Sequence, residues 1–116
     1  MSPEELVPFF HARRFPLSDE KLLQVQIDDE LTRLGVSFKR EVRLSGKDVV
    51  DFLIEDKIAL EIKIKGGKRA IFRQCERYCS HERVTALVLA TAVPMGFPPE
   101  ILGKPCYVAS LGRGWL

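Results

Sequence analysis

The stretch "DVVDFLIEDKIALEIKIKGG", Asp48 to Gly67, decides how the fold is read. Its apolar residues alternate as they do along strands with one buried face. Val50, Phe52 and Ile54 point one way and Asp51 the other. Leu60, Ile62 and Ile64 share a face, so Glu61 and Lys63 share the opposite one. Glu55, Asp56 and Lys57 separate the two runs. If these three form the loop, Ile54 pairs with Ile58 and Asp51 stands directly across from Glu61. A two-residue loop would put the two acids on opposite faces.

Outward from this hairpin, the other elements follow from caps and periodicity. Ser2-Pro3-Glu4-Glu5 reads as a cap, a first-turn proline and first-turn acids, opening a short helix to about Arg13 that Pro16 ends. Ser18 is expected to cap a second helix, with Asp19 and Glu20 in its first turn. Leu23, Ile27, Leu31 and Leu34 form its buried stripe, and Gly35 stops it. "VSFKREVRL", Val36 to Leu44, alternates as a strand before the turn at "SGKD". After Gly66-Gly67, residues 68–81 read as a helix with Ile71, Cys75, Tyr78 and Cys79 on one side. "VTALVLATA" fits a strand buried on both faces. A Pro/Gly-rich loop, "VPMGFPPEILGKP", then leads to a last strand, "CYVASL". A strand, helix, strand passage over 58–92 predicts a right-handed crossover between parallel strands. The fold class is therefore α/β, with a mixed central sheet flanked by helices. Residues 1–17 form an N-terminal arm or short helix and residues 18–116 the main domain.

The chain has 116 residues, enough for one hydrophobic core. With 46% hydrophobic and 29% charged residues it belongs among globular chains and not disordered ones. No apolar run reaches the roughly 20 residues of a membrane helix, and the acids of "MSPEELVPFFHARRF" stand where an export signal has bases. Three cysteines make no disulfide framework, which fits a reducing, cytoplasmic compartment. Net charge is only +2, but residues 62–83 hold 7 bases against 2 acids, while residues 1–61 hold 9 bases against 13 acids. A localised positive face suits a polyanion, although a solvated helix surface has the same composition.

Two carboxylates facing each other across a ladder repel, and something must compensate. A divalent cation does so directly, because one or two carboxylates are what Mg²⁺ takes while keeping sites for water and phosphate. Lys63 beside them places positive charge near a reacting phosphate. For the three residues alone, a polar outer face on which Lys63 screens both acids is the plainer reading. On the following helix, Gln74 and Tyr78 lie one above the other, and Arg69, Arg73 and Arg77 form a neighbouring basic stripe. Lys65 and Lys68 extend it toward the strand. Glu20, three residues before Leu23, is placed to reach the sheet edge as a further carboxylate; a first-turn acid favoured by the helix dipole is the plainer reading.

Together these residues resemble the PD-(D/E)XK, or restriction-endonuclease-like, nuclease superfamily. Its signature is an acid on one strand and Glu-x-Lys on the next, within an αβββαβ core. Here those are Asp51 and Glu61-Ile62-Lys63. "QCERY", Gln74 to Tyr78, is similar to the Gln-x-x-x-Tyr motif of the RecB-like branch, whose helical acid would map to Glu20. The likeness covers roughly residues 18–110 and points to small phage or prophage nucleases. It departs in having Val50 where a proline is usual. The resemblance implies a Mg²⁺- or Mn²⁺-dependent deoxyribonuclease acting in bacterial or phage DNA recombination, repair or processing. Asp51, Glu61, Glu20 and the Ile62 backbone carbonyl would be metal ligands. Lys63, Gln74 and Tyr78 would complete the catalytic set, and Lys65, Lys68, Arg69, Arg73 and Arg77 would hold DNA phosphates. Some relatives carry a four-cysteine iron–sulfur cluster, which Cys75, Cys79 and Cys106 cannot supply; they are expected to pack as small hydrophobes. His11 and His81 are expected at the surface.

Two other functions fit the sequence. One is a non-catalytic nucleic-acid-binding module that keeps the fold. The other is a subunit or homo-oligomer that uses the apolar "LVPFF", Leu6 to Phe10, as an interface.

Overall fold

The computed structural model describes residues 1–112, so the last four residues of the domain expected over 18–116 lie outside the described residues. The described chain forms α1 (Pro3–His11), α2 (Glu20–Arg33), β1 (Phe38–Ser45), β2 (Asp48–Ile54), β3 (Ile58–Lys63), α3 (Lys68–Cys79), β4 (Ala86–Thr91), β5 (Glu100–Ile101) and β6 (Lys104–Ser110). The six strands make one mixed sheet in the order β1-β2-β3-β4-β6-β5. β1, β2 and β3 form an antiparallel meander. β3, β4 and β6 run parallel, as the passage through α3 predicts for the first two. Among the described residues no helix is long and apolar enough to cross a membrane.

Each face of the sheet carries its own apolar layer. Phe52, Ile54, Ile58, Leu60 and Ile62 pack with α1 and α2 through Leu6, Phe10, Leu23, Ile27 and Leu31. On the other face Leu53, Ala59, Leu87 and Leu89 pack with Ile71, Cys75, Tyr78 and Cys79 of α3. α1 opens on the expected capping box, in which the Ser2 hydroxyl accepts from the Glu5 amide and the Glu5 carboxylate accepts from the Ser2 amide. Of the apolar "LVPFF", Leu6, Phe9 and Phe10 are buried in the chain's own core. Side chains of that size each contribute about 1.5–3 kcal/mol when buried, which accounts for α1 docking on the sheet.

Several expectations needed correction. Asp19, not Ser18, caps α2, its carboxylate accepting from the Lys21 and Leu22 amides. A carboxylate also meets the helix dipole with a full charge, where a serine brings none. Leu34 is the C-cap of α2 and is 50% exposed: the helix ends at Arg33, and Leu31 is the last buried residue of its stripe. β5 lies inside the segment expected to be loop. Its two residues pair antiparallel with β6 across a tight turn at Leu102-Gly103. Neither histidine is a free surface residue. His11 Nε2 accepts from the Ser110 amide, and His81 Nε2 lies 3.0 Å from Asp48 Oδ2.

The loop between β2 and β3 has the expected length, with Ile54 paired to Ile58. The Lys57 amide donates to the Ile54 carbonyl at 3.1 Å, and Glu55 and Asp56 take φ of 52° and 59°. Two consecutive left-handed residues match the strand twist. Asp accepts this backbone more readily than Glu does. The turn is held from outside: the Glu55 amide donates to the Ser37 carbonyl, and Asp56 pairs with Lys39 and Arg83.

β1 and β2 change faces together at one level. Phe38 and Phe52 pack on the α2 side, whereas Val42, Leu44 and Val50 pack on the α3 side. Val50 therefore does not share a face with Phe52 as strict alternation predicts. The reversal falls at Asp51 in β2 and at Glu41 in β1. The flanking pairs Arg40↔Phe52 and Val42↔Val50 put these two residues level, and Glu41 takes a φ of 50°. A left-handed residue within a strand is a local kink, and this one adjoins the acid pair.

Candidate active site

Antiparallel pairing between β2 and β3 runs from Ile54↔Ile58 to Phe52↔Leu60. One step further, Asp51 faces Glu61, and side chains take over the bonding between the strands. The Asp51 amide donates to Glu61 Oε1 at 3.2 Å, and the Ile62 amide donates to Asp51 Oδ2 at 2.8 Å. The two strands are thus prised apart at the acids and laced by their carboxylates. Backbone N–H and C=O of one strand residue point to the same edge. The Ile62 carbonyl therefore opens toward Asp51, as its amide does.

Glu61 is only 2% exposed. This decides against a solvated sheet face, since unpaired acids are almost never fully buried. Burial, and next the charge of Asp51, push the Glu61 carboxyl up to about 8. Burial also raises Asp51, against the Ile62 amide and the charge of Lys63, which hold it down. Lys63 Nζ stands 3.5 Å from Glu61 Oε2 and is partly open to solvent. One ammonium thus stands beside one buried and one half-buried carboxylate, and without a further cation Glu61 holds its proton to about pH 8.

α3 supplies the wall over Glu61. Tyr78 is fully buried; its hydroxyl donates to the Val49 carbonyl at 2.9 Å and to Glu61 Oε2 at 3.3 Å. A phenol has one proton, so it serves one acceptor at a time, the shorter bond being to Val49. Burial and the neighbouring Glu61 push the Tyr78 hydroxyl above its ordinary range, so it remains a donor. Tyr78 thus ties α3 to Val49 and has Glu61 as its second, longer acceptor. Gln74, one turn earlier, is half-buried. Cys75, absent from the sequence-derived site, is buried beside the acids: burial and the Glu61 charge raise its thiol to about 12. Its only sequence signal was its place on the face shared with Tyr78.

Glu20 stands apart. It is the first residue of α2 and exposed, and among the described residues it makes no hydrogen bond or ion pair with either acid. Its charge does reach Asp51, which it pushes upward. Among the described residues no group of three or more His, Cys, Asp or Glu is gathered closely enough to hold a metal ion. The acids brought together are two.

Lys65, Lys68, Arg69, Arg73 and Arg77 are all exposed, on the segment that leaves β3 and along α3. Arg77 differs from the rest, because its Nε pairs with Asp48 at 3.1 Å. Asp48 is held below the usual carboxylate range by His81 first and Arg77 after it. Gly67 caps α3 without any side-chain bond, so the first amides of that helix open among Lys65, Lys68 and Arg69. Cys79 and Cys106 are buried free thiols with sulfurs 3.8 Å apart, and Cys75 is free as well. A hollow of about 310 Å³ lies at the turn end of the hairpin, between Met1, Glu55 and Thr85, away from Lys63.

No family model matches the chain, and no curated protein and no solved structure matches it either.

Proposed function

We propose that this protein is a divalent-metal-dependent nuclease that hydrolyses DNA phosphodiester bonds, built on a restriction-endonuclease-like core. The observation that carries this reading is the Asp51–Glu61 pair at the parting of β2 and β3, with Glu61 buried and Lys63 Nζ 3.5 Å from it. Keeping both facing carboxylates charged beside one ammonium is costly unless a cation completes the site. Asp51, Glu61 and the Ile62 carbonyl offer hard oxygen donors from two strand edges, which is the donor chemistry of Mg²⁺ and Mn²⁺. When bound, such an ion supplies Lewis-acid polarisation of a phosphoryl oxygen and a lowered pKa for water.

The chain's own residues divide the remaining work. Lys63 sets a positive charge against the oxygens of the scissile phosphate, where charge builds in the transition state. Tyr78 fixes the Glu61 carboxylate. Cys75 and Tyr78 keep water from the α3 side of the pair. Glu20 reaches the site through its charge and, across an intervening water, would orient the far side of the phosphate. Gln74, half-buried one turn from Tyr78, would touch the substrate. Lys65, Lys68, Arg69 and Arg73 offer phosphate contacts along one side, where sequence-independent binding is strongest. These phosphate contacts lie on one side of the domain, and a homodimer would bring a second such side to the duplex. Bacterial or phage DNA processing is the setting this chemistry suits.

The test is cleavage of end-labelled duplex, nicked, branched and single-stranded DNA, with Mg²⁺, Mn²⁺ or EDTA. Divalent-dependent cleavage lost in Lys63→Ala supports the reading. Salt-sensitive binding without turnover, unchanged by Lys63→Ala, would instead make the chain a binding module.

A further inference from the structure

Thr91 and Glu61 are the buried polar residues of the described chain. Glu61 belongs to the acid pair, while Thr91 lies in an apolar strand where a valine would fit as well. Thr91 is level with Lys63 in the pairing of β3 with β4. Its Oγ1 donates to the Lys63 carbonyl at 2.7 Å and accepts from the Val93 amide at 3.0 Å. The Ala92 amide donates to the same Lys63 carbonyl at 3.0 Å, and the Thr91 carbonyl accepts from the Leu111 amide at 2.8 Å.

We propose that Thr91 is a positioning residue for Lys63: its hydroxyl fixes the end of β3 and thereby aims Nζ at the acid pair. β3 needs this hold because its other supports stop short. Backbone pairing with β2 ends at Phe52↔Leu60, and the last tie to that strand, from the Ile62 amide to Asp51, lies one residue before Lys63. After Lys63 the chain runs into Gly66 and Gly67, and Gly66 takes a φ of 140°, which no bulky residue adopts readily. At Lys63 the strand is therefore gripped from the β4 edge alone. Thr91 makes that grip two-pronged and ties it to the loop after β4 and to the end of β6. Its one proton and a lone pair are both engaged, so the hydroxyl has no freedom to swing away. A valine keeps the β-branch and volume but leaves the Lys63 carbonyl with a single donor and the Val93 amide with none.

The catalytic consequence rests on the nuclease reading, whereas the aiming of Lys63 does not, and the experiment reads the two separately. Trace acylation of the full chain with acetic anhydride, mapped by mass spectrometry, gives the rate at Lys63 relative to Lys65 and Lys68. Thr91→Val is expected to change that ratio severalfold and Thr91→Ser to restore it. In the Mn²⁺ cleavage assay, Thr91→Val should lower kcat by about 10- to 100-fold, the range for a misplaced reacting group, with KM nearly unchanged and activity recovered in Thr91→Ser. Thr91→Ala stands in for valine, with the same expectations, if the valine chain does not fold. A Lys63 ratio unchanged in the valine or alanine chain would overturn the proposal, as would a serine chain as defective as they are. A wild type that cuts no DNA would sink the nuclease reading, while the labelling ratio would still decide for or against Thr91.

Discussion

The Asp51 amide donates to Glu61 Oε1 at 3.2 Å, one residue beyond the last backbone pair of the hairpin. Each acid is thus tied to its neighbour's strand, since Asp51 in turn accepts from the Ile62 amide at 2.8 Å. The carboxylates hold the strands apart and are held by them, so they cannot turn outward to water without undoing the end of the ladder. A first prediction concerns what the pair does when no cation is present. Glu61 ordinarily titrates near 4.5 and is pushed up to about 8 in the fold. The folded chain then binds more protons than the unfolded one between those values, and stability must fall as pH rises through that window. The loss should be on the order of a few kcal/mol and should be complete above pH about 8. Urea melts from pH 5 to 8.5 in EDTA check this. Glu61→Gln should flatten the profile, and a wild-type profile that rises with pH would contradict it.

Mn²⁺ should reverse that loss. Binding to the folded state alone stabilises it by about 2.7 kcal/mol at 100 times Kd. Thermal melts at pH 8 should therefore show a rise in Tm with Mn²⁺ that is absent in Asp51→Ala. A rise of equal size in that variant would place the ion elsewhere.

Tyr78→Phe should uncouple Glu61 from α3. Losing the hydroxyl leaves the half-buried Val49 carbonyl short of a donor, at a cost of about 1 kcal/mol in urea melts. Mn²⁺ affinity should fall as well, because one restraint on the Glu61 carboxylate is gone. An affinity equal to the wild type's would show that Tyr78 serves packing alone.

The basic residues should separate into two kinds. Arg69→Ala and Arg73→Ala should each weaken DNA binding regardless of sequence and reduce the salt slope by about 1. Arg77→Ala should leave that slope nearly unchanged, since Asp48 already occupies its Nε. Fluorescence anisotropy over a salt series distinguishes them, and equal slopes for all three variants would contradict the division.

The hairpin was legible because its two signals agreed. A three-residue loop fixed the register, and the break in apolar alternation at Asp51, Glu61 and Lys63 marked the residues that end up together. Helix faces were legible where the stripe was long, as for Leu23, Ile27 and Leu31. Errors arose where tertiary context outweighs local pattern. Val50 looked like a partner of Phe52, but the kink at Glu41 and Asp51 turns the strand over between them. Leu34 continued the stripe by periodicity, yet the helix had already ended at Arg33. Thr91 was hidden in "VTALVLATA", where a threonine reads as one more β-former. Its role depends on the register of β3 against β4, which no local pattern shows. Glu20 was placed by helix phase and by the resemblance, neither of which tells how far a helix start stands from the sheet.

The central claim is that the Asp51–Glu61–Lys63 site hydrolyses DNA with a divalent ion. Its most direct test is Mn²⁺-dependent cleavage of end-labelled linear and single-stranded DNA by the wild type and by Asp51→Ala, both shown to be folded. The account predicts products from the wild type in Mn²⁺, none in EDTA and none from Asp51→Ala. Intact DNA in every lane, or equal cleavage by the two proteins, would contradict it.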